Sequence, residues 1–224
     1  MKIGIYGGTF DPPHLGHMEA ARAALAQMNL DRLLIIPDRE PPHKDLAEEA
    51  ASPQQRLAMA ALMADGLGPR AEASDLELRR EGKRYTADTV EAIHEAFPED
   101  ELWLLMGTDM FLTIQTWHEA EKILSLAGIA AFGRTEADTE ELFSAPRAYL
   151  YRTYPQARIF TLTIPGVVDV SSTELRALLA RGEGANLLPP AVYGYILREG
   201  LYGTGADLKH LPFRQLRPVA LSYL

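Results

Sequence analysis

The sequence predicts an α/β protein with a doubly wound, mostly parallel sheet and helices on both faces. Short apolar runs typical of buried strands alternate with segments of helical periodicity, about one helix between successive strands. The composition is 47% hydrophobic and 24% charged, which is typical of a globular protein. A chain of 224 residues is long enough for one large α/β domain.

The first half of the chain alternates three predicted strands with two helices. Each strand is a short run rich in apolar residues, and Ser52 with Gln55 forms a capping box that opens the second helix. The predicted elements are, in order, a strand over Lys2–Tyr6, a helix with apolar positions Met18, Ala21, Leu25 and Met28, a strand over Arg32–Pro37, a helix from Pro53 to about Asp65, and a strand over Asp75–Leu78.

The second half continues the alternation and closes with two helices. Ser171 and Glu174 form a second capping box, and Gly182 lies where a glycine cap is expected after the helix. The predicted elements are a helix over Thr86–Phe97, a strand over Glu101–Met106, a helix over Asp109–Ala127 broken near Trp117, strands over Ile129–Phe132 and Arg158–Ile164, a helix after Ser171, and a helix from Pro190 to Gly200.

In doubly wound folds, ligands bind outside the carboxyl ends of the strands. We expect four segments to lie at such ends, namely the glycine turn after the first strand, Pro37, Gly107 and Val170. These segments are therefore predicted to converge on one crevice.

A glycine turn and two histidines follow the first strand, in the segment Gly7-Gly8-Thr9-Phe10-Asp11-Pro12-Pro13-His14-Leu15-Gly16-His17. Glycines allow backbone N–H groups to approach a ligand, and the helix N-terminus adds partial positive charge. His14 and His17 are three residues apart, so both face one side of the first helical turn. Either feature alone would be ordinary, but together they predict a nucleotide triphosphate site. The segment is neither a P-loop nor a dinucleotide fingerprint, because both glycine patterns are incomplete.

This segment resembles the His-x-Gly-His signature of the nucleotidylyltransferase superfamily and its G-x-F-D-P lead-in. Other motifs narrow the resemblance to bacterial nicotinate-mononucleotide adenylyltransferases, from Lys2 to about Gly203. The resemblance implies a Rossmann-like fold and transfer of the adenylyl group of ATP to nicotinate mononucleotide in NAD biosynthesis, with deamido-NAD and pyrophosphate as products. It implies catalytic roles for two histidines, His14 and His17, and ATP binding by the loop residues Gly7, Gly8, Thr9 and Phe10.

Two further motifs concern the ATP phosphates. In Val170-Ser171-Ser172-Thr173-Glu174-Leu175-Arg176, hydroxyls at a helix start and an arginine suit a phosphate, although the residues alone fit an ordinary capping box. The resemblance assigns this role to Ser172, Thr173 and Arg176. In the proline-rich segment from Pro37, the family pattern Pro-x-x-x-Pro-Pro-His-Lys ends at Lys44, which the resemblance places on the phosphates.

The resemblance also implies a mononucleotide subsite formed by Thr86, Asp109, Trp117, His118 and Arg134, with Trp117 stacked on the nicotinate ring. By themselves, Thr86 and Asp109 fit helix starts, and a helical tryptophan is more often part of a core. The sequence departs from the family pattern at three places: Arg84 replaces a serine, His118 replaces a common tyrosine, and Thr135-Glu136 replace a Pro-Gly pair after Arg134.

The attacking 5′-phosphate is already ionised near neutral pH, so no general base is required. Catalysis is expected from in-line positioning and charge stabilisation, with His17 on the α-phosphate. We expect Mg²⁺ to arrive with ATP, because the sequence offers no carboxylate cluster that would hold it as a protein-bound metal.

The overall composition excludes several other classes of function. Thirty-one acidic against 22 basic residues give a net charge of −9, which disfavours a broad nucleic-acid surface. No apolar run approaches the roughly 18 residues of a membrane span, and no signal-peptide core is present. The absence of cysteine fits a reducing cytoplasm. Assembly into a homo-oligomer is left open.

The family resemblance defines a domain over residues 1–203. Residues 204–224 lie beyond it and carry no site motif. We expect this tail to pack on the domain surface or on a neighbouring subunit.

Two alternative functions stay open. The chain could adenylylate another phosphate such as phosphopantetheine, which its length and Trp117 disfavour, or be a nucleotide-binding regulator without turnover, which the intact His14, His17 and Arg176 disfavour. The absence of a Lys-Met-Ser-Lys-Ser element argues against a synthetase fragment.

Overall fold

A six-stranded parallel sheet forms the centre of the computed structural model, which describes residues 1–39, 50–79, 85–133, 138, 140–166 and 170–205. The strand order is β3-β2-β1-β4-β5-β6, and every neighbouring pair is parallel. The strands are β1 (Lys2–Gly8), β2 (Arg32–Pro37), β3 (Ala71–Ala73), β4 (Glu101–Gly107), β5 (Ala127–Phe132) and β6 (Ile159–Leu162).

Helices cover both faces of this sheet. The helices are α1 (Leu15–Gln27), α2 (Pro53–Leu67), α3 (Thr86–Ala96), α4 (Thr108–Phe111), α5 (Ala120–Leu126), α6 (Glu140–Thr153), α7 (Ser172–Leu179) and α8 (Pro190–Glu199), with 3₁₀ turns at Ile114–Thr116, Ala185–Leu187 and Leu201–Gly203. One apolar core includes α1, α2, α7 and α8, and a second includes α3, α5 and α6. The predicted doubly wound architecture is therefore confirmed.

The predicted helix signals act as expected. Ser52 Oγ accepts a hydrogen bond from the Gln55 N–H, and Gln55 Oε1 accepts one from the Ser52 N–H. Gly200 ends α8 with a φ of 64°, a left-handed conformation that glycine adopts without strain. The helix predicted over Asp109–Ala127 is interrupted at Trp117, whose backbone is extended.

Three predictions are corrected. The strand predicted over Asp75–Leu78 is wrong, because this segment forms turns and the shorter strand β3 pairs with β2 instead. Helix α6 is missing from the predicted elements, because Pro146 lies inside it and only Phe143 and Leu150 are buried. Val170 does not lie at a strand end, since β6 already ends at Leu162.

The strand order places a crevice between β1 and β4. From β1 the chain winds outward through β2 and β3 on one side, and later through β4, β5 and β6 on the other. The loops after Gly8 and Gly107 consequently leave the sheet in diverging directions, which opens space for a ligand. Within the described ranges, no helix has both the length and the apolar character needed to cross a membrane.

Candidate active site

The loop between β1 and α1 is held by a buried aromatic side chain. Phe10, which is 1% exposed, packs edge-on against Tyr6 and against the His17 ring, with centroid separations of 5.4 and 5.1 Å. A Cβ atom at Gly8 would lie 3.2 Å from the Phe10 ring, so glycine leaves room for this packing. A Cβ at Gly7 would meet no atom of the described residues within 4 Å, which indicates open space above the turn.

The two predicted histidines lie together at the start of α1. His14 is buried and is the N-cap residue, whereas His17 is half-buried in the first turn. Their ring centroids are 3.8 Å apart, and the His14 backbone N–H donates to His17 Nδ1 at 3.2 Å. Because Nδ1 accepts this hydrogen bond, His17 carries its proton on Nε2, which makes Nε2 a donor suited to a phosphate oxygen.

Helix α7 docks its N-terminal turn onto the same loop. Ser172 Oγ donates to the Pro12 carbonyl at 3.0 Å, and Arg176 Nη1 donates to the Asp11 carbonyl at 2.7 Å. Arg176 Nη2 also donates to Thr173 Oγ1 at 3.3 Å. The three α7 residues predicted to bind phosphate are thus brought beside the loop that leads into His14.

The capping box of α7 fixes the start of this helix. The Ser171 N–H donates to Glu174 Oε2 at 2.9 Å, and Ser171 Oγ accepts from the Glu174 N–H at 3.1 Å. The hydrogen bonds from Ser171 hold the pKa of Glu174 below its usual value. Glu174 therefore stays ionised and accepts the Ser171 hydrogen bonds that fix the first turn of α7.

Sequence reasoning missed the arginine that ties the ends of β1 and β2 together. The fully buried Arg56 on α2 donates from Nη1 to the Thr9 carbonyl at 2.9 Å and to Asp38 Oδ1 at 2.9 Å. Thr9 Oγ1 donates to the other Asp38 oxygen at 2.9 Å. No local pattern marks Arg56, because an arginine on a helix is usually on the surface.

Sequence reasoning also left Asp11 without a role, although it lies inside the glycine–histidine motif. Asp11 is 1% exposed, and its carboxylate accepts a hydrogen bond from the Tyr202 hydroxyl at 2.6 Å. Two glycines close to Tyr202, Gly200 and Gly203, are the only hint of a special turn there. They do not indicate where the tyrosine side chain goes.

The residues predicted to bind the mononucleotide lie at the ends of other elements. Thr86 opens α3, and Trp117 and His118 lie in the short link before α5. The Tyr85 and His118 rings contact each other with centroids 4.1 Å apart and planes tilted by 34°, which brings the start of α3 beside this link. Tyr85 is a neighbour that the predicted set did not include.

Asp109 is exposed in the first turn of α4, directly after β4. The preceding Thr108 is buried and donates to the Phe132 carbonyl at 3.2 Å and to Asp138 Oδ2 at 2.6 Å. These bonds join the ends of β4 and β5. Two predicted site residues, Lys44 and Arg134, lie outside the described residues.

Taken over the part of the chain that the structure describes, no group of three or more His, Cys, Asp or Glu side chains could hold a metal ion. The donor set at the β1 loop instead consists of imidazole N–H, hydroxyl and guanidinium groups. Such groups bind anionic oxygens rather than cations.

Comparison with known proteins gives consistent matches. Residues 5–178 match the model of the cytidylyltransferase-like family. A probable nicotinate-nucleotide adenylyltransferase of Shewanella sp. (strain MR-7) is 36% identical over 214 residues, covering 90% of this chain and 99% of the relative. Another from Desulfatibacillum aliphaticivorans is 36% identical over 220 residues, covering 90% of this chain and 100% of the relative.

Solved structures share the fold. The Plasmodium falciparum nicotinic acid mononucleotide adenylyltransferase complexed with NaAD superposes with a TM-score of 0.72 at 21% identity, covering 92% of this chain and 99% of that chain. At this level of identity the likeness supports the fold alone.

Proposed function

The chain belongs to the cytidylyltransferase-like family and, within it, to the nicotinate-nucleotide adenylyltransferases, and we propose from this membership how its crevice works. The enzyme transfers the adenylyl group of ATP to nicotinate mononucleotide, giving deamido-NAD and pyrophosphate in NAD biosynthesis. The observation that carries the assignment of the site is the adjacent His14 and His17 pair at the start of α1, with the Ser172–Arg176 turn docked on the same loop.

In the proposed reaction, a 5′-phosphate oxygen of the mononucleotide attacks the α-phosphorus of ATP. The bond from that phosphorus to the β-phosphate bridging oxygen breaks, and pyrophosphate leaves with the bonding electrons. No proton has to be removed from the nucleophile, because the second ionisation of a phosphate monoester has a pKa of about 6. The protein's task is therefore to hold the two phosphates in line and to stabilise the charge that moves.

The described side chains fit this division of roles. Nε2 of His17 would donate to the α-phosphate, where charge rearranges in the transition state. His14, Ser172, Thr173 and Arg176 would hold the β- and γ-phosphates. The turn at Gly7, Gly8, Thr9 and Phe10 would bring backbone N–H groups close to the nucleotide. Lys44, outside the described residues, is proposed as a further phosphate contact.

Mg²⁺ is proposed to enter as a counterion of the ATP phosphates, as part of the substrate. Among the described residues, no group of three or more His, Cys, Asp or Glu side chains could hold a resident metal. Residues 1–203 are proposed to form the catalytic domain. The absence of cysteine fits a cytoplasmic location, which is also a proposal.

The mononucleotide is proposed to lie between β4 and α3, with its pyridine ring near Trp117. Asp109, His118 and Arg134 are proposed to complete this subsite. Thr86 opens α3, and the first N–H groups of a helix have no partner within the helix, so they suit the nicotinate carboxylate. An amide would place its NH₂ group against these donors. We therefore expect kcat/KM to favour the acid over the amide mononucleotide by at least about 10²-fold.

The test is pyrophosphate release from ATP with nicotinate mononucleotide, its amide form or phosphopantetheine as the acceptor. Turnover with nicotinate mononucleotide supports the proposal. Turnover only with phosphopantetheine, or ATP binding without turnover, would overturn it. Equal kcat/KM values for the acid and the amide would contradict the selectivity and leave adenylyl transfer standing.

A further inference from the structure

Asp11 is a buried acidic residue for which the reaction described above has no use. It is 1% exposed, and its contacts come from three other segments of the chain. Oδ1 accepts from the Tyr202 hydroxyl at 2.6 Å and from the Ala51 N–H at 3.1 Å, while Oδ2 lies 3.4 Å from Arg176 Nη1. A carboxylate in this position is costly unless its partners are held in place.

Tyr202 reaches Asp11 from an unusual backbone conformation. It lies in the 3₁₀ turn after α8, with a φ of 56° between Gly200 at 64° and Gly203 at 73°. A left-handed backbone is strained for a residue with a side chain, so the surrounding structure must hold it there. The conformation directs the ring inward, where Tyr202 is 4% exposed.

The Tyr202 hydroxyl is a permanent donor in this setting. Burial and the neighbouring Asp11 charge raise the pKa of Tyr202 well above its usual value. The phenol therefore stays protonated over the working pH range and fixes Oδ1 of Asp11 by a short hydrogen bond. Oδ2 is consequently left facing the guanidinium of Arg176.

The Arg176 guanidinium is hydrogen-bonded within the protein and is still partly exposed to solvent. Nη1 donates to the Asp11 carbonyl at 2.7 Å, and Nη2 donates to Thr173 Oγ1 at 3.3 Å. Its side chain is still 22% exposed. Both the carbonyl and the carboxylate of Asp11 thus contact the same guanidinium, and they fix its position before a ligand arrives. A preorganised arginine loses less entropy on binding phosphate than a mobile one.

We propose that Tyr202 and Asp11 are positioning residues that hold Arg176 in the orientation that binds the ATP phosphates. This inference rests on the proposed function and adds a dependence of ATP binding on the turn at Leu201–Gly203. The chain of contacts runs from the Tyr202 hydroxyl through the Asp11 carboxylate to the Arg176 guanidinium. A purely structural cross-link would instead contribute to folding stability without affecting the ligand.

The test compares Tyr202→Phe, which removes only the hydroxyl, with Tyr195→Phe as a matched control. Tyr195 lies on α8, and its ring packs beside the Arg198 guanidinium, 5.0 Å from the ring centroid. For Tyr202→Phe we expect the calorimetric Kd and the KM for ATP to rise about tenfold. The KM for nicotinate mononucleotide should stay within about twofold, and Tyr195→Phe should change none of these values by more than that. All measurements are made well below the melting temperature of each variant.

A second variant, Asp11→Asn, tests the link to Arg176. The amide oxygen can still accept from Tyr202, but the NH₂ group then faces the guanidinium, so ATP binding should weaken more than in Tyr202→Phe. Because both variants act through Arg176, their effects on ATP binding should be less than additive in the double variant.

The proposal is overturned if Tyr202→Phe lowers the melting temperature while the Kd for ATP stays within about twofold of the wild-type value. Additive effects of the two variants on ATP binding would also overturn it. The calorimetric measurement needs no turnover. An unmodified chain that binds ATP but releases no pyrophosphate would therefore overturn the proposed reaction, while the Tyr202→Phe comparison would still decide the positioning role.

Discussion

Replacing Arg56 by Met should destabilise the protein strongly, because this side chain makes buried polar contacts between α2 and the ends of β1 and β2. Its guanidinium donates to three backbone carbonyls, those of Thr9, Asp38 and Arg39, at 2.8–3.1 Å, and pairs with the Asp38 carboxylate at 2.9 Å. Methionine keeps an unbranched chain in the same space and removes every donor.

The expected loss of stability follows from the burial of the Arg56 and Asp38 side chains. The Arg56 side chain is 0% exposed and that of Asp38 is 14% exposed, so solvent can replace little of what is lost. Removing one partner of a buried ion pair costs about 3–5 kcal/mol. For a protein of this size each kcal/mol corresponds to about 2–4 °C, so the melting temperature should fall by about 6–20 °C.

The assay is urea and thermal unfolding followed by circular dichroism, with Arg22→Met as the control. Arg22 is 52% exposed and, in the part of the chain that the structure describes, pairs with Glu19 on the same helix, so its loss should cost no more than about 0.5 kcal/mol. Because Thr9 belongs to the loop proposed to bind the ATP phosphates, Arg56→Met should also raise the KM for ATP in the folded protein. A loss of stability below about 1 kcal/mol would refute this reasoning.

Three further perturbations test the site and the fold. His17→Ala should lower kcat by about 10²–10³-fold in a protein that still folds, since it removes the donor proposed for the α-phosphate; near-normal pyrophosphate release at saturating substrate would contradict this role. Gly128→Ala should cost about 1–3 kcal/mol in urea unfolding, because its Cβ would lie 2.6 Å from the Trp103 ring, and unchanged stability would show that the ring can move aside. Ending the chain after Gly205 should change assembly or melting temperature more than kcat, whereas ending it after Gly200, which removes Tyr202, should also weaken ATP binding; loss of turnover in a folded chain ending at Gly205 would contradict the view that the tail lies outside the catalytic machinery.

Local signals in the sequence determined much of the fold. β2 has the predicted bounds of Arg32–Pro37, and the capping boxes at Ser52 and Ser171 open α2 and α7 as expected. These features succeed because a run of apolar residues or a cap acts within a few residues of chain. Elements with weak local signals were missed, because their formation depends on contacts with distant parts of the chain. The alanine-rich β3 forms only by pairing with β2, and α6 has little apolar periodicity to reveal it.

The candidate site likewise combines motifs that the sequence predicts with contacts that only the fold creates. The sequence by itself indicated the glycine–histidine segment and the Ser172–Arg176 turn as candidate site motifs, because adjacent residues carry each motif. Only the tertiary structure decided how they are held. Tyr202 lies 191 residues from Asp11, and Arg56 lies 47 residues from Thr9. Each pair meets because separate helices pack on one sheet, and the free energy of such a contact depends on burial and distance, which no local pattern of residues encodes.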